Sequence, residues 1–169
     1  MRLRFFSGLL LLLGVFSVWS TSSAQGAPFF ASYEVTRHSD GEEISLGDFA
    51  GSPVILMFFY PTCDECQEEL QIFEEMREEL KERGVALLPI TKERFNPRLV
   101  SKTLKDLQVE HLEVYYDHMP GLFDSLPVRN VPQLVICDAS GAVVYDEKGL
   151  VQELVLEEIL DTVAPRKGE

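Results

Sequence analysis

The sequence predicts an α/β fold, a mixed central sheet flanked by helices, and three observations carry that expectation. Val54 to Tyr60 is an unbroken apolar run, the pattern of a central strand buried on both faces. Directly after it, Cys66, Leu70, Phe73, Met76 and Leu80 recur at helical spacing. Near the C-terminus, Leu134 to Cys137 and Ala142 to Tyr145 flank Asp138-Ala139-Ser140-Gly141, a hairpin signal, and an amphipathic stretch follows.

Residues 25–35 read as a flexible or edge lead-in. Gly41 marks a turn, and Ile44, Leu46 and Phe49 form a short alternation that ends at Gly51-Ser52-Pro53. Pro61 stops the central strand. Thr62-Cys63-Asp64-Glu65 has the form of a capping box with Thr62 as N-cap, so a helix is expected over about 63–83, with Gly84 as its stop. Val85 to Thr91 reads as a strand that ends or bulges at Pro89, because proline gives a ladder no N–H. A helix is expected over 97–108, a short strand at Val114 to Tyr116, a loop over Asp117 to Gly121, and a closing helix from Leu150 to Val163.

With 169 residues the chain has room for one domain and little else. Its start stands apart. Arg2 and Arg4 precede an apolar run of 15 residues, Phe5 to Trp19, and small residues follow up to Ala24. That is the layout of a secretory signal, with cleavage expected after Ala24. The run is shorter than the roughly 20 residues a spanning helix needs, so an uncleaved anchor is the weaker alternative. The expected division is therefore 1–24 as signal peptide and 25–169 as the folded domain. The protein would be exported, to a bacterial periplasm, and soluble after cleavage.

Without Arg2 and Arg4, 13 basic side chains face 28 acidic ones, a net charge of −15. Such a surface repels nucleic acid and anionic lipid, and nucleic-acid binding is excluded.

Three cysteines in an exported chain make one pair and one left over. Cys63 and Cys66 would close a loop too small to remove much entropy from the unfolded chain, so exchange chemistry explains the pair better than stapling. Cys63 falls at the start of the helix, where free N–H groups and the helix dipole favour a thiolate, and is placed to attack. Cys66, one turn on, is placed to resolve the mixed disulfide. Half a zinc site would need two further ligands at sensible spacing, and the sequence has no second CxxC and no HxxxH. Cys137 lies five residues beyond Pro132, about 16 Å along an extended strand, and reads as a buried, inert thiol. Asn130-Val131-Pro132 precedes an apolar strand. A cis bond there would offer the Val131 backbone to an extended substrate segment, while Val-Pro by itself marks only a turn.

Four stretches together resemble the TlpA/ResA-like branch of the thioredoxin superfamily, exported bacterial thiol–disulfide oxidoreductases. They are Ser45 to Pro53, Ile55 to Cys66, Phe123 to Pro132 and Leu134 to Val144. The resemblance runs from about Phe30 to the end. It implies a thioredoxin-like fold, and the 66-residue step from Cys66 to Pro132 suits this branch, which inserts an extra strand and helix. It also implies Cys63 as the attacking cysteine, Cys66 as the resolving one in a Cys63–Cys66 disulfide, and Pro132 as a cis-proline at which substrate docks. Glu69 falls on a glutamate that tunes the thiols in many members, although in a helix with nine acids it could equally be a solvated side chain. The implied partners are client proteins with disulfides and a membrane-bound thiol electron donor. No cofactor or metal is expected, and the protein is expected to be a monomer. The chain departs from the family in carrying Thr62 where a tryptophan is usual and Glu65 where a proline is common.

Two rival readings remain at this stage. Cys63, Cys66 and His118, with Met119 beside it, would suit Cu(I), making the chain a copper chaperone on a thioredoxin fold. A thioredoxin-fold adaptor without turnover is the other. A peroxiredoxin is set aside, since Pro61-Thr62-Cys63 has that class's residues without its spacing.

Overall fold

The computed structural model describes residues 27–92 and 95–166, so the expected signal segment 1–24 lies outside the described residues. Seven strands form one mixed sheet: β1 (Glu34–Arg37), β2 (Glu43–Ser45), β3 (Val54–Phe58), β4 (Ala86–Lys92), β5 (Tyr115–Asp117), β6 (Gln133–Cys137) and β7 (Val143–Lys148). Their order across the sheet is β2-β1-β5-β4-β3-β6-β7. The β3–β4 and β4–β5 pairs are parallel and the others antiparallel. The helices are α1 (Asp64–Arg83), α2 (Pro97–Asp106), the one-turn α3 (Leu122–Ser125) and α4 (Glu153–Val163).

β3 is buried at every position, as its apolar run requires. Its side chains alternate between two cores. Ile55, Met57 and Phe59 pack with Leu70 and Phe73 of α1, Val100 of α2 and Leu156 and Leu160 of α4. Val54, Leu56 and Phe58 pack on the other face with Phe30, Leu46, Leu122 and Phe123. Each such side chain contributes about 1.5–3 kcal/mol when fully removed from water.

Three local expectations are corrected. The described part of the lead-in is not an edge: Phe29–Ser32 forms a 3-10 turn that buries Phe30, and β1 pairs on both sides, with β2 and with β5. The N-cap of α1 is Cys63 rather than Thr62, because the Cys63 sulfur takes the Cys66 amide N–H that a capping oxygen would otherwise accept. β4 runs through Pro89 without a break. The Ala86 amide and the Ile90 carbonyl both bond toward β3, so the alternating position 89 faces the side where pairing with β5 begins only at Ile90. The missing N–H of Pro89 therefore costs no ladder bond.

The end of α1 follows the expected stop. Gly84 takes a left-handed φ of 74°, and its N–H reaches the carbonyls of Leu80 and Lys81. This brings the chain straight into β4, while the start of α1, which follows β3 in the chain, lies at the carboxyl end of that strand, where α/β sheets bind their ligands.

Candidate active site

Cys63 and Cys66 are joined in a disulfide with their Cα atoms 5.2 Å apart. Cys63 is partly exposed and caps the helix; Cys66, one turn in, is fully buried. The Cys66 N–H donates to the Cys63 sulfur at 3.2 Å, and the Gln67 N–H to the Cys63 carbonyl at 3.0 Å. One sulfur thus faces outward against a helix N-terminus that favours negative charge, while its partner is shielded behind it.

Across from the pair lies the turn that starts β6. The Val131 carbonyl oxygen is 3.7 Å from the Cys63 sulfur, the Val131–Pro132 bond is cis, and Pro132 is buried. The Met119–Pro120 bond is cis as well, in a segment the sequence marked only as loop. Tyr60, just ahead of the cysteines, stacks on Phe123 with centroids 6.0 Å apart, and the Lys92 ammonium sits 4.8 Å from the centre of the same ring.

The acids around the pair divide into two kinds. Asp64 and Glu65 between the cysteines are exposed, as is Glu68. Glu69 is only 1 % exposed, so the solvated alternative for it is overturned. Burial pushes its carboxyl up to about 7, against the smaller downward pull of the Val151 N–H, which donates to Oε1 at 3.5 Å. Its Oε2 has no hydrogen-bond partner among the described residues.

Cys137 ends β6 opposite Val54, at the far end of the strand from Pro132. It is buried and unpaired with another sulfur, and burial, aided by Asp138, pushes its thiol up to about 12. His118 follows β5, two strands from β3, and its Nε2 lies 2.8 Å from the Thr36 hydroxyl on β1. Among the described residues, no three His, Cys, Asp or Glu side chains gather as a metal-holding group, so the residues set out for copper are not brought together. Sequence reasoning missed Gln67 and Thr103, whose side chains both donate to the Pro61 carbonyl. Nothing local signals a bond between positions 42 residues apart.

Two sulfurs that can open and close a bond at the mouth of a helix, on a thioredoxin-like sheet, place this chain in the class of thiol–disulfide oxidoreductases. It belongs to the AhpC/TSA family, whose pattern matches residues 25–152. A thiol-disulfide oxidoreductase ResA of Halalkalibacterium halodurans is 25% identical over 131 residues, covering 78% of this chain and 73% of that protein. Among solved structures, dsbF of MTB superimposes with a TM-score of 0.72 at 16% identity, over 82% of this chain and 99% of that one. A secreted Mycobacterium tuberculosis disulfide oxidoreductase gives 0.66 at 16% identity, over 78% and 96%. These likenesses fit the predicted fold class. Among the described residues no helix is long and apolar enough to cross a membrane.

Proposed function

We propose that this chain is an exported reductase of disulfides in client proteins, with Cys63 as the attacking thiol and Cys66 as the resolving one. The asymmetry of the pair carries the reading: a partly exposed sulfur that accepts a helix N-terminal N–H stands in front of a fully buried one. In the reduced protein the Cys63 thiolate attacks one sulfur of a client disulfide and expels the other as a thiolate. The Cys66 thiolate then attacks the Cys63 sulfur and releases the second client thiol. The client gains two electrons and two protons, and the protein is left with the Cys63–Cys66 disulfide. A dithiol donor at the membrane would return it to the reduced form by the reverse exchange. Val131 and Pro132 would receive the client segment beside Cys63.

The direction of flow is supported by charge. Asp64, Glu65 and Glu68 surround the helix start and oppose a thiolate at Cys63, which disfavours the dithiol form and makes the couple more reducing. Export is supported by the signal pattern over 1–24 and by the secreted relative, with 25–169 as the mature domain. The test is the reduction potential of the Cys63–Cys66 pair at equilibrium with a thiol buffer. A value near that of thioredoxin, about −270 mV, is expected; a value near about −120 mV would make the protein an oxidant instead.

A further inference from the structure

Pro61 stands two residues ahead of Cys63 and is buried. Its carbonyl oxygen accepts from two side chains on different helices: Gln67 Nε2 of α1 at 2.8 Å and Thr103 Oγ1 of α2 at 3.4 Å. A carbonyl has two lone pairs, and here each meets a side-chain donor. The turn is also closed by a main-chain bond from the Cys63 N–H to the Tyr60 carbonyl at 3.1 Å. Gln67 grips this turn twice, by its own N–H on the Cys63 carbonyl and by its side chain on the Pro61 carbonyl.

We propose that Gln67 and Thr103 are positioning residues for thiol exchange, fixing the 60–63 turn so that the Cys63 sulfur keeps its bond to the Cys66 amide. This rests on the reading of Cys63 as the attacking thiol. Two effects follow from the same pin. The Pro61 oxygen carries partial negative charge, and held toward the two helices it cannot turn toward the sulfur and oppose a thiolate. The sulfur's contact with the Cys66 N–H is 3.2 Å, and such bonds weaken steeply once their angle is lost. α2 is thereby part of the active site without contributing a reacting group.

The experiment uses the reduced full-length protein and follows alkylation of Cys63 by iodoacetamide across pH, read by peptide mass spectrometry, with urea unfolding as the control for folding. Gln67→Ala should move the midpoint of the profile upward and slow alkylation at neutral pH about three- to tenfold, the worth of one net hydrogen bond. Thr103→Val, which keeps the shape and loses the hydroxyl, should move it the same way by less. Thr103→Ser, which keeps the hydroxyl, should follow the wild type. If Gln67→Ala fails to fold, Thr103→Val against Thr103→Ser decides the question. Folded variants with the wild-type midpoint would overturn the inference. Wild-type Cys63 reacting no faster than Cys66 would instead remove the attacking role, and the inference with it.

Discussion

The Cys63 sulfur lies 3.7 Å from the carbonyl oxygen of Val131, although 68 residues separate them in the chain. β3 and β6 are neighbours in the sheet, with Phe58 opposite Gln133, so the segment after β3 and the segment before β6 emerge side by side. The sheet therefore joins a reactive sulfur to a stretch of main chain. A client cysteine presented along that stretch would reach Cys63 before it could reach the buried Cys66.

The first prediction follows from that order of access. Cys66→Ser should accumulate a covalent mixed disulfide with a client, since nothing remains to resolve it. Cys63→Ser should not. Non-reducing gels of the two variants after exposure to a disulfide-bonded protein decide the matter. Equal trapping by both would refute the division of roles.

Cys137 should stay silent in the same chemistry. Its thiol is pushed up to about 12 by burial, and a thiol that holds its proton is a poor nucleophile. Iodoacetamide at pH 8 should label Cys63 in the reduced native protein and leave Cys137 unmodified until the fold is opened with denaturant. Peptide mapping reads this directly. Cys137→Ala should cost about 1 kcal/mol as a small buried truncation and leave exchange rates unchanged.

Much of this arrangement was legible in the sequence, and the misses have physical causes. β3 and α1 announce themselves because one is apolar throughout and the other repeats a long helical period closed by Gly84. β1 does not: among Glu34, Val35, Thr36 and Arg37 only Val35 is buried, so its place between β2 and β5 depends on pairings no local pattern records. In the sequence Glu69 is one acid among nine on α1, and its burial comes from the fold, in which the distant Val151 N–H reaches its carboxylate. Hydroxyls are common helix caps, which points to Thr62 in the sequence, whereas in the fold the Cys63 sulfur takes that place.

Glu69 should make stability depend on pH. Its carboxyl is raised from 4.5 to about 7 by burial, the nearby Glu65 adding to the rise. Between those values the unfolded chain has released its proton and the folded chain keeps it. Stability is therefore full below about pH 4.5 and falls as pH rises, the loss ending once pH passes about 7. Glu69→Gln cannot ionise and lacks this loss. Urea unfolding of the oxidised protein should show the variant gaining about 2–3 kcal/mol on the wild type between pH 5 and pH 8. A difference that does not change with pH would mean that Glu69 ionises in the fold as it does in water.

The last prediction concerns the exposed acids between the cysteines. Asp64 and Glu65 occupy the first turn of α1, where carboxylates interact favourably with the helix dipole and so stabilise the helix itself. The same carboxylates stand beside the position where, in the proposed exchange, Cys63 would carry negative charge, and there they act against it. The two effects differ in which redox state they touch. Helix stabilisation is shared by the disulfide and dithiol forms and cancels from the potential. Repulsion of the thiolate weighs on the dithiol form alone. Replacing Asp64 with Asn and Glu65 with Gln should therefore lower the Cys63 pKa and move the couple to a more oxidising potential by about 5–20 mV, the scale of one exposed charge interaction at a helix end. The shift should shrink in high salt, which screens exposed charges. Alkylation midpoints and equilibrium potentials at low and high ionic strength measure both quantities. Should neither move in the double variant, the acids are not what sets the direction of electron flow, and the charge argument for a reductant fails.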